Sequence, residues 1–459
     1  MKFLHKIIIL FFIGFIFRFI LELLFPYSAI GFDQMGYYVP MLYTNANPVD
    51  YFSVGFIYYL ISFSLNLLLN NPVWTIKFLD SILSGIFIIS LFIFAEFGIK
   101  NKYSFYISIL AFFSFQSLML DWSLQRNLFA FSIFLLTFMF NLENKKKIGI
   151  VSLLLIISGM TDPAIIPLEF FWFFYKSFKN KKYVIIPIIL VILTIILIIS
   201  ATFTTTVTGV NTNNVHEFIF SFFFPANYLY NVLLYISLLF ILFIPYLPFI
   251  PLLKKYDYRN DLNLKIPILG TFIVSSITIF TFFPRYLIEM ASISILFIKD
   301  PKKYKLIFSI FLVILLLFSS SYIAMTNYNP SPYFYNPIIK SIGLNEIVST
   351  SYLQSTVPLN DSEKIVKLFT FVGSNNSIVV SMLYMVSYAY EAGINPSIVI
   401  NTNENYTLFL KDCYYYSSIG LKVYTVWWNN NGWYGIEKLP KNFIELKSIG
   451  NYSLFIYEI

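Results

Sequence analysis

The sequence predicts a polytopic α-helical membrane protein, with about 11 transmembrane helices and a small extracytoplasmic α/β domain at its C-terminus. Three observations predict it. Of the 459 residues, 58% are hydrophobic and the mean hydropathy is +0.73, more apolar surface than a soluble core can hide. Runs such as "IIILFFIGFIFRFILELLF", "IIPIILVILTIILIIS" and "KLIFSIFLVILLLFSS" are long enough to cross a bilayer. Lysines and arginines gather in short clusters between these runs, as they do in cytoplasmic turns.

The same charge distribution excludes other classes. A net charge of +8 is dispersed among turns and forms no basic patch, so no nucleic-acid partner is expected. Cys413 is the only cysteine, which rules out an intrachain disulfide or a cysteine metal site. His5 and His216 are too far apart in sequence for a zinc motif, so no metal is expected. The first apolar run contains Arg18 and lacks a small-x-small site, so it reads as a span rather than a cleaved signal.

The basic clusters are Lys2/Lys6, Lys100/Lys102, Lys145–Lys147, Lys176 to Lys182, Lys254 to Lys265 and Lys299 to Lys305. Placing all of them in the cytoplasm gives spans near 7–25, 72–97, 103–120, 124–141, 148–160, 164–178, 183–203, 227–250, 266–283, 286–298 and 306–325. The N-terminus is then cytoplasmic and residues 326–459 lie outside a plasma membrane. Residues 1–326 form the transmembrane domain, with a first outer loop over 26–71. Within that loop "YFSVGFIYYLISFSLNLLL", residues 51–69, is apolar enough to cross. If it crosses, the N-terminus moves outside; if it lies in the interface, the topology above holds.

Between "ENKKK" and "YKSFKNKK" a single helix would leave basic clusters on opposite sides, whereas a hairpin turning at "MTDPA" keeps both inside. Pro163 disfavours helical geometry at Asp162, where the break is expected. An arm over 148–160 reaches only ~20 Å of a ~30 Å hydrocarbon core, so Asp162 would sit in a recess below the outer surface.

After the linker "NYNPSPYFYNP" the pattern changes. "NSIVVSM", "PSIVINTN", "LKVYTVWW" and "YSLFIYEI" read as strands, and "DSEKIVKLFTFV" and "LYMVSYAYEAG" as helices. Asn431-Gly432 is a turn signal, and the α/β domain spans 340–459. Trp427, Trp428 and Trp433 read as strand and turn packing in preference to a sugar-stacking surface.

Four basic residues fall outside the turns and the C-terminal domain: Arg18, Lys77, Arg126 and Arg285, each in the outer half of its span or at its outer end. Acidic residues at the same level are Asp33, Asp50, Asp121 and Asp162, with Glu217 and Glu289 beside them. Plainer explanations exist for each. Arg18 and Glu22 are spaced to pair on one helix, as are Lys77 and Asp80. Arg126 beside Asp121 fits an interfacial anchor, Arg285 fits a side chain snorkelling to headgroups, and Asp33 fits a helix cap. Charge at one interface, rather than scattered at the midplane, points to an anionic headgroup held at the outer leaflet.

The order of features resembles the GT-C superfamily of membrane glycosyltransferases, in the branch of protein O-mannosyltransferases and the lipid A aminoarabinose transferase. "FDQMGYY" resembles that family's acidic pair and following tyrosine after the first span. "VGFIYYLISFSLNLLLNNPVWTIKFLDSILSGIFIISLFIFAEFGIKNKYSF" is similar to its interfacial helix, second span and basic turn, "DWSLQRNLFAFSIFLLTF" to its arginine-led fourth span, and "SGMTDPAIIPLEFFWFF" to the next hairpin. The likeness covers roughly residues 5–178 and implies that 51–69 is interfacial. Departures are Gln34 in place of the second acidic residue, "YFSVGF" in place of His-Pro-Pro, and Asp162 where many members carry a basic residue.

The resemblance implies transfer of a sugar from a polyprenyl (dolichyl-type) phosphate to a protein, lipid or glycan acceptor at the outer face, with no cofactor beyond that donor. It casts Asp33 as the base for the acceptor hydroxyl. Arg126 and Arg285, supported by Lys77 and Arg18, would bind the donor phosphate. Tyr37, Asp121, Asp162 and His216 are candidate substrate contacts, His216 from the polar loop over 202–218. The alternative is a lipid-linked sugar flippase or another membrane transporter, which calls for repeats and midplane charges. A membrane-anchored binding protein is a third class, under which the outer-level cations have no purpose.

Overall fold

The computed structural model describes residues 2–31, 34–47, 55–123, 125–140, 145–204, 289, 292–298, 305–326, 361–373, 376–402, 405–429 and 438–459. Helix α1 (Phe3–Leu23) leads to a π-helical turn (Gln34–Tyr38), which continues into α2 (Val39–Tyr43). There follow α3 (Phe56–Leu69), α4 (Pro72–Ile93), α5 (Ser104–Phe112), α6 (Phe115–Ser123), α7 (Gln125–Leu136), α8 (Lys145–Thr161), α9 (Ile166–Lys179), α10 (Ile185–Thr204) and α11 (Lys305–Thr326). Among the described residues two helices, Phe3–Leu23 and Pro72–Gly98, are long and apolar enough to cross a membrane. The spans expected near 227–250 and 266–283 lie outside the described residues.

Helix α1 and helix α4 meet over most of their length because two glycines let them. A Cβ on Gly14 would lie 2.5 Å from the Ser84 carbonyl oxygen, and one on Gly85 would lie 2.7 Å from the Phe11 ring. Small residues at such crossings bring backbones together in apolar surroundings. One turn further along, this approach sets Arg18 against Asp80.

The segment over 51–69 yields α3, a helix of 14 residues. At 1.5 Å per residue that is roughly 21 Å, shorter than a ~30 Å hydrocarbon core. It is amphipathic: Tyr58, Tyr59, Ser62 and Asn66 are buried, while Leu67 and Leu68 face outward, Leu68 at 81% exposure. The sequence Asn70-Asn71-Pro72 makes the corner into α4. Asn70 takes left-handed φ of 47°, a region asparagine tolerates; the Asn71 side chain accepts from the Trp74 amide at 3.0 Å; Pro72 opens the helix.

Where one span was expected over 103–120, the chain forms α5 and α6. The Ser114 hydroxyl accepts from the Ser117 amide at 3.3 Å and so caps α6 locally. The hairpin expected at "MTDPA" is present, with α8 ending at Thr161 and a 3-10 turn over Pro163–Ile165 opening α9. At the opposite end of the bundle, Asn101 donates to the carbonyls of Leu296 (2.9 Å) and Ile298 (2.7 Å), joining two turns that flank basic clusters.

The C-terminal residues form α12 (Ser362–Phe369), β1 (Ser377–Ser381), α13 (Leu383–Glu391), β2 (Val399–Asn401), α14 (Tyr406–Ser418), β3 (Lys422–Trp428), β4 (Phe443–Ile449) and β5 (Tyr452–Tyr457). Strand order is β2-β1-β3-β5-β4, with β1 parallel to β2 and β3, and β5 antiparallel to β3 and β4. Successive residues of β3 face opposite sides. Trp427 packs on Phe409 of α14 at 5.8 Å between centroids and Trp428 on Tyr452 at 5.7 Å, so both rings are core. Trp433 and the Asn431-Gly432 turn lie outside the described residues.

Cys413 is buried beside this sheet, and burial pushes its thiol well above the usual range. A maleimide applied to the folded protein at pH 7.5 is therefore expected to leave Cys413 unlabelled until denaturant is added. Rapid labelling of the native protein would contradict this packing.

Candidate active site at one end of the helix bundle

The C-terminal ends of α1, α6 and α8 and the N-terminal ends of α4 and α7 meet at one level, and side-chain charges join them. Arg18 is wholly buried. Its guanidinium lies 2.8 Å from Glu22, 3.7 Å from Asp80 and 3.8 Å from Asp121. It also donates to the backbone carbonyls of Asp121 (2.6 Å) and Ile30 (2.7 Å). The carboxylates have further partners: Tyr58 donates to Asp80 at 2.6 Å, Ser84 donates to Asp121, and Gln125 donates to Asp121 at 3.1 Å. The i, i+4 pairing of Arg18 with Glu22 thus forms, inside a larger knot drawn from three helices.

That knot grips the chain leading to Asp33. While Arg18 takes the Ile30 carbonyl, the Ile30 amide donates to Glu22 at 3.1 Å. Lys77 does not pair with Asp80. Its buried ammonium donates to the carbonyls of Phe25 (2.5 Å) and Pro26 (3.2 Å) and lies 4.8 Å from the Trp74 ring centroid. Arg18 and Lys77, expected beside a donor phosphate, are in this structure turned toward the segment 25–30.

Arg126 does not pair with Asp121 either. Its Nε lies 3.3 Å from Asp162, across the α7–α8 contact, and its side chain keeps 13% exposure. Gly55 is pressed against this pair at φ of +93°. A Cβ there would lie 2.4 Å from Arg126 Cδ, 2.8 Å from the Tyr38 hydroxyl and 3.2 Å from the Thr161 carbonyl. Tyr38 in turn packs against Tyr58 at 4.5 Å between centroids with the rings tilted by 53°, which links the Arg126–Asp162 pair to the Arg18 knot.

Gly55→Ala is expected to cost about 1–3 kcal/mol, from left-handed strain together with the clash. It should also displace Arg126. Thermal unfolding in detergent measures the first effect, and a transition unchanged from wild type would remove the close approach from the account.

Of the remaining candidates, Asp121 belongs to the knot and Asp162 to the arginine pair. Tyr37 points outward at 41% exposure. Asp33, His216 and Arg285 lie outside the described residues. Gln34 is fully buried next to the knot. Three carboxylates already surround Arg18 there, so a neutral amide avoids adding another buried charge.

The sequence reading missed Tyr58, Gly55 and the contacts of α13. Ser387 of α13 donates to the Met35 carbonyl, Tyr388 and Ser28 share a hydrogen bond of 3.2 Å, and Tyr43 donates to Glu391. Tyr58 carried a signal, a tyrosine on the polar stripe of an otherwise leucine-rich helix. The α13 contacts carried none, since some 350 residues separate the partners.

No family model matches the sequence, and no curated protein aligns with it. Its fold does match solved structures. ArnT from Cupriavidus metallidurans, in crystals bound to undecaprenyl phosphate and in the apo state, is similar at a TM-score of 0.57 and 10% identity. Each match covers 98% of this chain and 97% of the other. The chain therefore carries, over nearly its whole length, the polytopic helical membrane fold of ArnT, an aminoarabinose transferase of the GT-C type.

Proposed function

We propose that the protein is an integral membrane glycosyltransferase that moves a sugar from a polyprenyl-phosphate donor to an acceptor at the outer face of the plasma membrane. The observation that carries this reading is the gathering of Arg126–Asp162, Lys77 and the anchored segment before Asp33 at one end of a GT-C-type fold. In the proposed topology that end is outside, the N-terminus is cytoplasmic, eleven spans cross, and residues 340–459 form the outer domain.

In the reaction, Asp33 takes the proton of the acceptor hydroxyl. The hydroxyl oxygen attacks the anomeric carbon in line, the bond from that carbon to the phosphate oxygen breaks, and the electron pair leaves with the polyprenyl phosphate. Configuration at the anomeric carbon inverts. Arg126 and Arg285 stabilise the phosphate charge that develops. A monophosphate leaving group is within reach of fixed cations, so the mechanism needs no metal. Arg18 and Lys77 act mainly through the segment they hold, with their positive charge as a background contribution.

Purified protein in liposomes, given a panel of polyprenyl-phosphate sugars and membrane extract as acceptor, should release sugar from one donor class. Lipid that changes leaflet while keeping its sugar would instead establish a flippase.

A further inference from the structure

The helix α13 of the C-terminal sheet unit packs on its own strands and also lies against the first outer loop, where its hydrogen bonds fall on one short stretch of chain. Ser387 donates to the carbonyl of Met35, two residues after Asp33. Tyr388 hydrogen-bonds Ser28, five residues before it. Glu391 accepts from Tyr43 at the end of α2, where Tyr390 also packs on the Tyr43 ring at 5.2 Å. On the membrane side the same stretch is held at Phe25 and Pro26 by Lys77 and at Ile30 by Arg18 and Glu22. Met35 also receives the Ala29 amide on its sulfur at 3.3 Å, closing the stretch on itself.

We propose that Ser387, Tyr388 and Glu391 are positioning residues: α13 clasps the chain on either side of Asp33, at Ser28, Met35 and Tyr43, so that the outer unit is a working part of the transfer site. The proposal rests on the transferase reading. Its physical basis is division of labour. The bundle anchors the segment before Asp33 at Phe25, Pro26 and Ile30, and Tyr59 of α3 takes the Met41 carbonyl at 3.1 Å well after it, while α13 adds its bonds to Ser28, Met35 and Tyr43 from the other side. A base held from one side only has freedom to swing, and misplacement of about 1 Å in such a group costs on the order of 10²-fold in rate. Glu391 also lies within electrostatic reach of Lys77, so the clasp faces the basic residue that holds the segment's other end. Burial keeps the Glu391 carboxyl above the usual carboxylate range, which favours a shared hydrogen bond with Tyr43 over a fully hydrated carboxylate.

The test uses the full-length protein carrying Ser387→Ala with Tyr388→Phe, and separately the pair Tyr43→Phe and Glu391→Ala. Thermal unfolding first establishes that the variants fold. In Ser387→Ala/Tyr388→Phe, amide hydrogen exchange over 28–40 should quicken about tenfold, as expected when one or two hydrogen bonds are lost. Turnover should fall about 10- to 100-fold while the donor KM stays within about twofold. Tyr43→Phe and Glu391→Ala should each lower turnover, and the double variant should be no worse than the weaker single, because both remove one contact. Unchanged exchange and turnover in a folded variant would overturn the clasp, as would independent, additive effects in the second pair. If wild type transfers no sugar from any donor, the transferase reading fails by itself, and the exchange measurement still decides whether α13 orders the segment.

Discussion

Asp33→Asn is expected to lower sugar transfer about 10²- to 10⁴-fold while leaving donor binding close to wild type. Asparagine keeps the size and the hydrogen-bonding reach of aspartate but cannot take a proton at neutral pH. A base removed in this way reduces turnover, because proton removal belongs to the transition state. In the proposed mechanism donor affinity rests on Arg126 and Arg285, so it should survive. The measurement is steady-state transfer in liposomes beside a binding assay with the sugar-free polyprenyl phosphate. Turnover equal to wild type would remove Asp33 from the mechanism; loss of both turnover and binding would recast it as a structural residue.

The second large effect is on stability. Arg18→Met should destabilise the folded protein by roughly 3–5 kcal/mol, the range for breaking one side of a buried ionic network. Methionine fills much of the volume, but Glu22, Asp80 and Asp121 are then left buried without the cation that faces all three. Arg18→Lys should recover only part, since an ammonium cannot span Glu22, the Ile30 carbonyl and the Asp121 carbonyl as the guanidinium fork does. Adding Glu22→Gln to Arg18→Met removes one stranded carboxylate and should raise the melting temperature again. A melting temperature for Arg18→Met within a degree or two of wild type would mean that the knot contributes nothing to stability. Because Arg18 also holds the Ile30 carbonyl, transfer should fall with it even in the fraction that folds.

Local patterns were legible from the residues. The apolar runs, the basic turns and the Asp162-Pro163 break announced α1, α4, α8 and α9 within a few residues. Short runs rich in β-branched and aromatic residues announced β1, β2, β3 and β5. Strand β4 escaped because it is an edge strand with only Phe443 buried, so its alternation is weak. Helix α14 escaped for a related reason: its only fully buried residues are Phe409 and Cys413, and its run of tyrosines reads as strand.

Among these contacts, one followed from the sequence and three did not. Arg18 with Glu22 is a contact within one turn of helix, which i, i+4 spacing alone determines. Lys77 passes over Asp80, its neighbour in sequence, because Tyr58 and Arg18 already occupy that carboxylate while two loop carbonyls lie within reach. Arg126 takes Asp162 instead of Asp121 because the latter is turned into the knot by Ser84 and Gln125. The clasp by α13 depends on how a domain more than 300 residues away docks. The sequence by itself determined the apolar runs that become the long helices, the break at Asp162-Pro163, and which charged residues collect at one end. Which charges meet, and what they hold, was decided by packing, because partners distant in the chain are chosen by the geometry of Gly14 against Gly85 and of α13 against the outer loop, and that geometry exists only once the elements are assembled.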